Sequence, residues 1–490
     1  MRNFLTNITY YFQKIYNLFI SIFIDYKYKE AKNPSISKET LEAYNLSRTK
    51  GPKRIICYAP FKHVYFGTNG IARACCINKT DTYGAIANNK LSDLWKNDKV
   101  VVLREKILNY DLSGGCNYCN QQLESNNFKA FEGRLFDTIL PEKPAAYPTE
   151  MTFEISTTCN LECIMCNGNF SSSIRKNREK LPPLQEMYGN DFLDSIKDSI
   201  PFLKKASFIG GEPFLIPQYF DIIEYILEHN SNCKIFIQTN GTILNNRVKN
   251  IIEHKNVHLS ISIDSLNKLK YESIRKNASF ERLMENMEFF KLRAQKHNQS
   301  VNINFCVMTN NWEEVPDMLS YCNKHHFSVT FIPVESPKSL SISQTNKKTL
   351  KGIADFYEKN KYNHLLKENM LNIQKYNDLT NYVNHCLKRA ELFQEKVRIQ
   401  SQEHTDDLTI LLKYYLQFEL LFNSNDISHI MTLLERYKIG LEEKDIRHFI
   451  SCILIDLKDN KQNVISDYVN GGNWFERFED SLNSSISNKF

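Results

Sequence analysis

Cys159-Asn160-Leu161-Glu162-Cys163-Ile164-Met165-Cys166 sets three thiols within eight residues, directly after an apolar stretch at 151–156 that reads as a strand. A loop of this kind can wrap three thiolates around one metal centre. Zinc sites normally close with four protein ligands, and no fourth Cys or His lies nearby in sequence. Iron–sulfur clusters are also usually held by four thiolates. Three thiolates leave one iron open, and an open iron can take a small-molecule ligand. A zinc knuckle completed from elsewhere, or chance clustering, is the alternative.

Outward from this loop, strand and helix signals alternate. Strands are expected at 151–156, 207–209, 234–239, 257–263, 301–308 and 328–334, with helices such as 217–229 and 280–297 between them. Six such units imply a parallel sheet, either doubly wound or a partial barrel. Polar motifs fall at the carboxyl ends of the first four strands. The second ends in Gly210-Gly211-Glu212-Pro213, where two glycines permit close approach to the backbone and the carboxylate can accept from an ammonium group. The third ends in Thr239-Asn240-Gly241, and the fourth carries Ser260-Ile261-Ser262-Ile263-Asp264, whose hydroxyls and acid could bond a ribose. Taken singly, each reads as turn or cap chemistry. Together they mark the strand edge where parallel α/β architectures bind ligands.

The Cys-x3-Cys-x2-Cys loop after a first strand resembles the signature of the radical S-adenosylmethionine (SAM) superfamily, and the resemblance covers 150–335. It implies a partial (β/α)6 barrel at 149–340, with Cys159, Cys163 and Cys166 holding a [4Fe–4S] cluster whose fourth iron is chelated by SAM. Met165 matches the position whose backbone meets the adenine. Gly210, Gly211, Glu212 and Pro213 match the segment that binds the SAM amino group, and Thr239, Asn240, Ser262 and Asp264 match strand ends that contact its ribose and methionine parts. The implied reaction is reductive cleavage of SAM to a 5′-deoxyadenosyl radical that abstracts hydrogen from a substrate. No side-chain acid or base is required for that step, so no catalytic residues are expected beyond the cluster and SAM ligands.

A second cysteine group precedes this region: Cys57, then Gly70-Ile71-Ala72-Arg73-Ala74-Cys75-Cys76, Leu94-Trp95, Arg104 and Cys116-Asn117-Tyr118-Cys119. Its order resembles a SPASM or twitch module, placed here before the barrel and not after it. The resemblance implies one auxiliary [4Fe–4S] cluster on Cys57, Cys75, Cys116 and Cys119, with Cys76 able to replace Cys75 and zinc as the alternative metal. The module spans 54–140, and the run at 141–148, rich in Pro, reads as a linker. Modules of this type often accompany peptide maturases, so a peptide or protein side chain is the expected substrate. A sugar or other small metabolite is the second choice, and a non-catalytic iron–sulfur or zinc scaffold belongs to a different class. A flavodoxin or ferredoxin is the expected electron donor.

Bulk composition agrees with a folded protein. The chain has 490 residues, 42% hydrophobic and 24% charged, with a formal net charge of +6. That charge is small and not blocked into basic arms, so no nucleic acid is expected. Thirteen cysteines are an odd number without a secretory signal, so metal binding explains them better than disulfides. Phe4, Ile8, Phe12, Ile15, Phe19 and Phe23 recur at helical spacing in an N-terminal segment, 1–53 with its linker. Gln13 and Lys14 interrupt the apolar run, which favours an amphipathic helix docked on the protein over a membrane span. Weak contact of 1–25 with a membrane surface is left open, and the expected location is the cytoplasm. The stretch 341–490 reads as mainly α-helical, for example at 408–422 and 427–437.

Overall fold

The computed structural model describes residues 28, 31–49, 51–87, 89–137, 145–189, 191–361, 370–400 and 450. The amphipathic pattern within 1–25 and the helices expected at 408–422 and 427–437 lie outside them. The chain divides into two units, one formed by 1–162 and 167–260, the other by 163–166 and 261–490.

Among the described residues, six strands lie wholly in the first unit: β1 (His63–Phe66), β2 (Ile71–Arg73), β3 (Thr82–Ala85), β4 (Glu150–Phe153), β5 (Lys205–Phe208) and β6 (Lys234–Thr239). Their spatial order is β3-β2-β1-β4-β5-β6. The β1–β2 and β2–β3 pairs are antiparallel, whereas β1–β4, β4–β5 and β5–β6 are parallel. The cysteine-rich segment therefore joins the parallel sheet by adding strands to it. Register aligns Phe66 with Phe153 and Phe153 with Phe208. Their rings stack at 5.3 and 4.9 Å between centroids, giving a continuous apolar ladder across three strands. Beside the ladder, Lys62 Nζ and Glu150 Oε1 pair at 2.9 Å with almost no exposed side-chain surface. His63 bonds Ala74 O through Nδ1 (2.7 Å) and Thr152 Oγ1 through Nε2 (2.9 Å). Burial pushes its basicity down to about 4, so the ring is neutral and its one N–H serves the Ala74 carbonyl.

Helices follow the parallel strands with sequence-encoded starts. Pro217 opens Pro217–His229, and Asn245 caps Asn246–Ile252 by accepting from Val248 N–H. The helix Pro217–His229 buries Tyr219, Phe220, Ile222, Ile223 and Ile226 at helical spacing. Tyr219 reaches into the strand ends. Its hydroxyl accepts from Ile155 N–H at 3.1 Å and shares its proton between Phe153 O (2.8 Å) and Ile209 O (2.7 Å).

The strand β7 (Val257–Ser262) takes the chain from the first unit into the second. There β8 (Asn302–Val307) and β9 (Ser328–Pro333) pair in parallel, alternating with helices Phe280–Lys296 and Val315–His325. Helices Lys347–Asn360 and Met370–Gln400 continue the chain, as the expected helical region requires. Asn372 fastens the longer one to β9, accepting from Val329 N–H at 2.9 Å and donating to Phe327 O at 2.8 Å. The alternation yields an α/β fold with a mixed, mainly parallel sheet. No helix among the described residues is long and apolar enough to cross a membrane.

Candidate functional site

The strand β4 ends at Phe153, three residues sooner than the apolar pattern suggests, and the chain then leaves the sheet to form the cysteine loop. Three consecutive serines brace that loop. Cys159 N–H donates to Ser172 Oγ (3.2 Å), Ser173 Oγ donates to Cys159 O (2.7 Å), and Ser171 Oγ donates to Leu161 O (2.8 Å). Ser171 also caps the short helix Ser172–Asn177. The Cys159 sulfur accepts from Leu161 N–H at 3.5 Å, which suits a thiolate.

Gly210 and Gly211 both adopt positive φ, 82° and 44°. A Cβ on Gly210 would stand 2.6 Å from Glu154 Cγ, and one on Gly211 would stand 2.3 Å from Thr158 O. Both positions need glycine because the chain's own 154–158 segment lies against them. Glu212 is fully buried. Its Oε1 accepts from Thr239 Oγ1 (2.6 Å) and Phe214 N–H (3.1 Å), and its Oε2 accepts from Asn240 N–H (2.7 Å). Glu212 N–H donates to Thr158 O at 2.7 Å. Pro213 opens the buried turn that follows. Asn240 Nδ2 then donates to Asn160 Oδ1 (2.9 Å), and Asn160 Nδ2 to Thr242 Oγ1 (3.0 Å). The start of the cysteine loop, the Gly-Gly-Glu-Pro turn and Thr239-Asn240 thus form one hydrogen-bonded assembly at three adjacent strand ends.

Glu154 sits among these groups and was not among the residues singled out by motif. Burial raises its carboxyl up to about 7. An acid closing an apolar strand immediately before a cysteine loop is the signal that could have found it.

Cys163, Met165, Cys166, Ser262 and Asp264 belong to the second unit. Ile164 N–H donates to Ile274 O at 2.9 Å, and Cys166 N–H to Cys163 O at 3.1 Å. Ile164 and Met165 pack on a buried cluster of Ile274, Met308 and Val334. Ser262 is buried, and Asp264 is fully so. Asp264 Oδ1 accepts from Cys306 N–H at 2.7 Å, and its Oδ2 lies 2.7 Å from Arg275 Nη2. Burial pushes the Asp264 carboxyl up, and the Arg275 guanidinium opposes that rise. The Arg275 Nη1 also points at the Cys163 sulfur, 3.8 Å away. No motif flagged Arg275.

The four earlier cysteines lie in the first unit. Burial raises Cys57 well above the usual thiol range, and Cys75, Cys116 and Cys119 add to it as neighbouring negative charges. Cys116 and Cys119 are each pushed up to about 12, first by burial and then by Cys75. Cys76 is exposed and is not among the main influences on those three. Asn78 serves the sulfurs, its N–H 3.5 Å from Cys75 Sγ and its Nδ2 3.4 Å from Cys116 Sγ. Gly115 makes room for it, since a Cβ there would lie 1.9 Å from Asn78 Oδ1. Arg104 stacks on Trp95 at 4.4 Å and donates to Pro60 O at 2.8 Å, fixing the chain beside Cys57. Among the described residues no three Cys, His, Asp or Glu side chains close on a point as a single metal ion requires.

Residues 153–322 match the family model described as Radical SAM superfamily. The GTP 3′,8-cyclase of Clostridium perfringens is 24% identical over 184 residues, 37% of this chain and 54% of that protein. The AdoMet-dependent heme synthase of Methanosarcina barkeri is 28% identical over 172 residues, 34% of this chain and 45% of that protein. The chain thus spans about half the length of these curated relatives. Among solved structures, Streptococcus suis SuiB bound to the precursor peptide SuiA aligns at 14% identity and a TM-score of 0.33. That alignment covers 54% of this chain and 51% of SuiB, a likeness too slight to carry an argument.

Proposed function

We propose that this chain, whose residues 153–322 make up a radical SAM domain, is an enzyme that cleaves SAM reductively at a [4Fe–4S] cluster held by Cys159, Cys163 and Cys166. The observation that carries the reading is the assembly at the ends of β4, β5 and β6, where the cysteine loop is hydrogen-bonded to the Gly-Gly-Glu-Pro and Thr-Asn-Gly-Thr turns. The residues fit the group. Three thiols leave a coordination position for SAM, and the sulfurs of Cys159 and Cys163 already accept from nitrogen donors, as cluster thiolates do. When bound, the cluster and SAM would supply a 5′-deoxyadenosyl radical able to take hydrogen from an unactivated C–H bond.

The chain's own residues bind and orient. Glu212 holds Thr239 and Asn240 in place and offers the carboxylate expected to meet an ammonium group. Gly210 and Gly211 keep that turn against the loop, and Pro213 ends it. Met165 is the candidate to meet the adenine through its main chain, with Ser262 and Asp264 as candidates on the ribose side. The buried apolar cluster beneath Ile164 and Met165 helps keep water from reactive species.

The same reading gives Cys57, Cys75, Cys116 and Cys119 an auxiliary [4Fe–4S] cluster. Burial and the neighbouring Cys75, Cys116 and Cys119 act together on Cys57, which supports reading the four thiols as one ligand set, with zinc as the alternative metal. A polypeptide side chain is the substrate this reading favours, since an auxiliary cluster can take up an electron after hydrogen abstraction. The names of the matched relatives, which refer to GTP and heme, support a small metabolite as the second reading. Mass spectrometry of peptides and metabolites incubated with reduced protein, flavodoxin or ferredoxin, and SAM separates the two. A mass change on a peptide is expected, and a change confined to a nucleotide or tetrapyrrole would favour the second.

A further inference from the structure

Arg275 follows the helix Lys268–Ile274, and its N–H returns to Tyr271 O at 2.8 Å. The turn points its side chain inward, where it is 8% exposed against a fully buried Asp264. A buried guanidinium needs acceptors for five N–H groups. Here Nη2 meets Asp264 Oδ2 as an ion pair, Nη1 meets the Cys163 sulfur, and Nε finds no acceptor. Asp264 is itself held by Cys306 N–H on its other oxygen. A neutral thiol is a weak reason to keep such a charge underground. A thiolate carrying an iron cluster is a strong one, because it supplies the negative charge that the remaining donors lack.

We propose that Arg275 is a positioning residue that sets the reduction potential of the cluster on Cys163, with Asp264 as the counter-charge that limits its effect. The inference rests on the reading of Cys163 as a cluster ligand. Reduction takes one electron from an external donor and adds one negative charge to the cluster, with no bond made or broken. A cation donating to a ligand sulfur stabilises the more negative state, and burial strengthens the effect. Asp264 cancels part of it. The two residues therefore act in opposite directions on one equilibrium, which a purely structural ion pair would not do.

The test is a reductive titration of the full chain followed by electron paramagnetic resonance, using the signal that changes when SAM is added. Arg275→Gln is expected to disfavour reduction at least tenfold, a shift of 59 mV to more negative potential for one electron. Asp264→Asn is expected to shift the midpoint the other way, and Arg275→Lys to fall between Arg275→Gln and the parent. If Arg275→Gln takes up no cluster, the opposite-sign shift of Asp264→Asn and the smaller shift of Arg275→Lys decide the matter. Variants with full iron and an unchanged midpoint, or with midpoints displaced in the same direction, would overturn the proposal while leaving the cluster reading intact. Parent protein with iron bound but no SAM-responsive signal would overturn both.

Discussion

Cys159, Cys163 and Cys166 occupy one loop, whereas Cys57, Cys75, Cys116 and Cys119 come from separate segments spread from residue 57 to 119. The loop is braced locally, by Ser171, Ser172 and Ser173 a few residues downstream. The dispersed set depends on the tertiary fold of its segment. It requires β1 to dock on β4, Asn78 to reach Cys116, and Arg104 to pin the chain at Pro60. A contiguous set can survive damage to the surrounding sheet, while a dispersed one cannot. The contrast also separates what each set does in the proposed reaction: one binds the reagent, the other receives or relays an electron.

The sharpest way to break this contrast is to remove each set whole. Changing Cys57, Cys75, Cys116 and Cys119 together to Ala should reduce anaerobically reconstituted iron from about eight to about four per chain. The SAM-responsive signal should persist in that variant. Stoichiometric zinc in place of iron in the parent protein would refute the auxiliary cluster.

A smaller effect probes the dispersed set's reliance on the sheet. Glu150→Ala removes the carboxylate that pairs with buried Lys62, in a setting where burial already pulls the ammonium down. Losing one member of a buried pair costs about 3–5 kcal/mol. Urea denaturation of the apoprotein should show that loss, and reconstituted Glu150→Ala should lose auxiliary iron before it loses the other cluster. Equal loss from both sets would remove the distinction.

Much of the contiguous site was legible because its parts are neighbours in sequence. The helix Pro217–His229 and the strand Lys234–Thr239 have the ends that proline, apolar spacing and alternation suggest. The strand β5 begins two residues sooner than expected, since Lys205 hides its start. Strands β1–β3 were not legible. They are three or four residues long, and β1 opens with His63 directly after Lys62, polar residues whose partners Thr152 and Glu150 lie beyond the intervening module. Arg275 and Cys163 are 112 positions apart, so no local pattern links them. Asn78 reads as an ordinary turn residue until Gly115 brings Cys116 beside it.

The smallest of these effects concerns the contiguous site. The Glu154 carboxyl, raised by burial from 4.5 up to about 7, stays protonated in the folded chain where the unfolded chain has lost its proton. Stability therefore falls as pH rises from about 4.5 to about 7, by about 3 kcal/mol in total. Glu154→Gln should abolish that slope and be the more stable protein at pH 8, as thermal unfolding of the apoprotein across pH would show. An unchanged slope would mean that Glu154 is solvated.

The central claim is tested most directly by reducing the anaerobically reconstituted full chain, adding SAM, and quantifying 5′-deoxyadenosine and methionine by chromatography. The account predicts that both accumulate in equal amounts, slowly even without substrate, and that changing Cys159, Cys163 and Cys166 to Ala abolishes them. Intact SAM after incubation with a fully reduced, iron-loaded protein would contradict it.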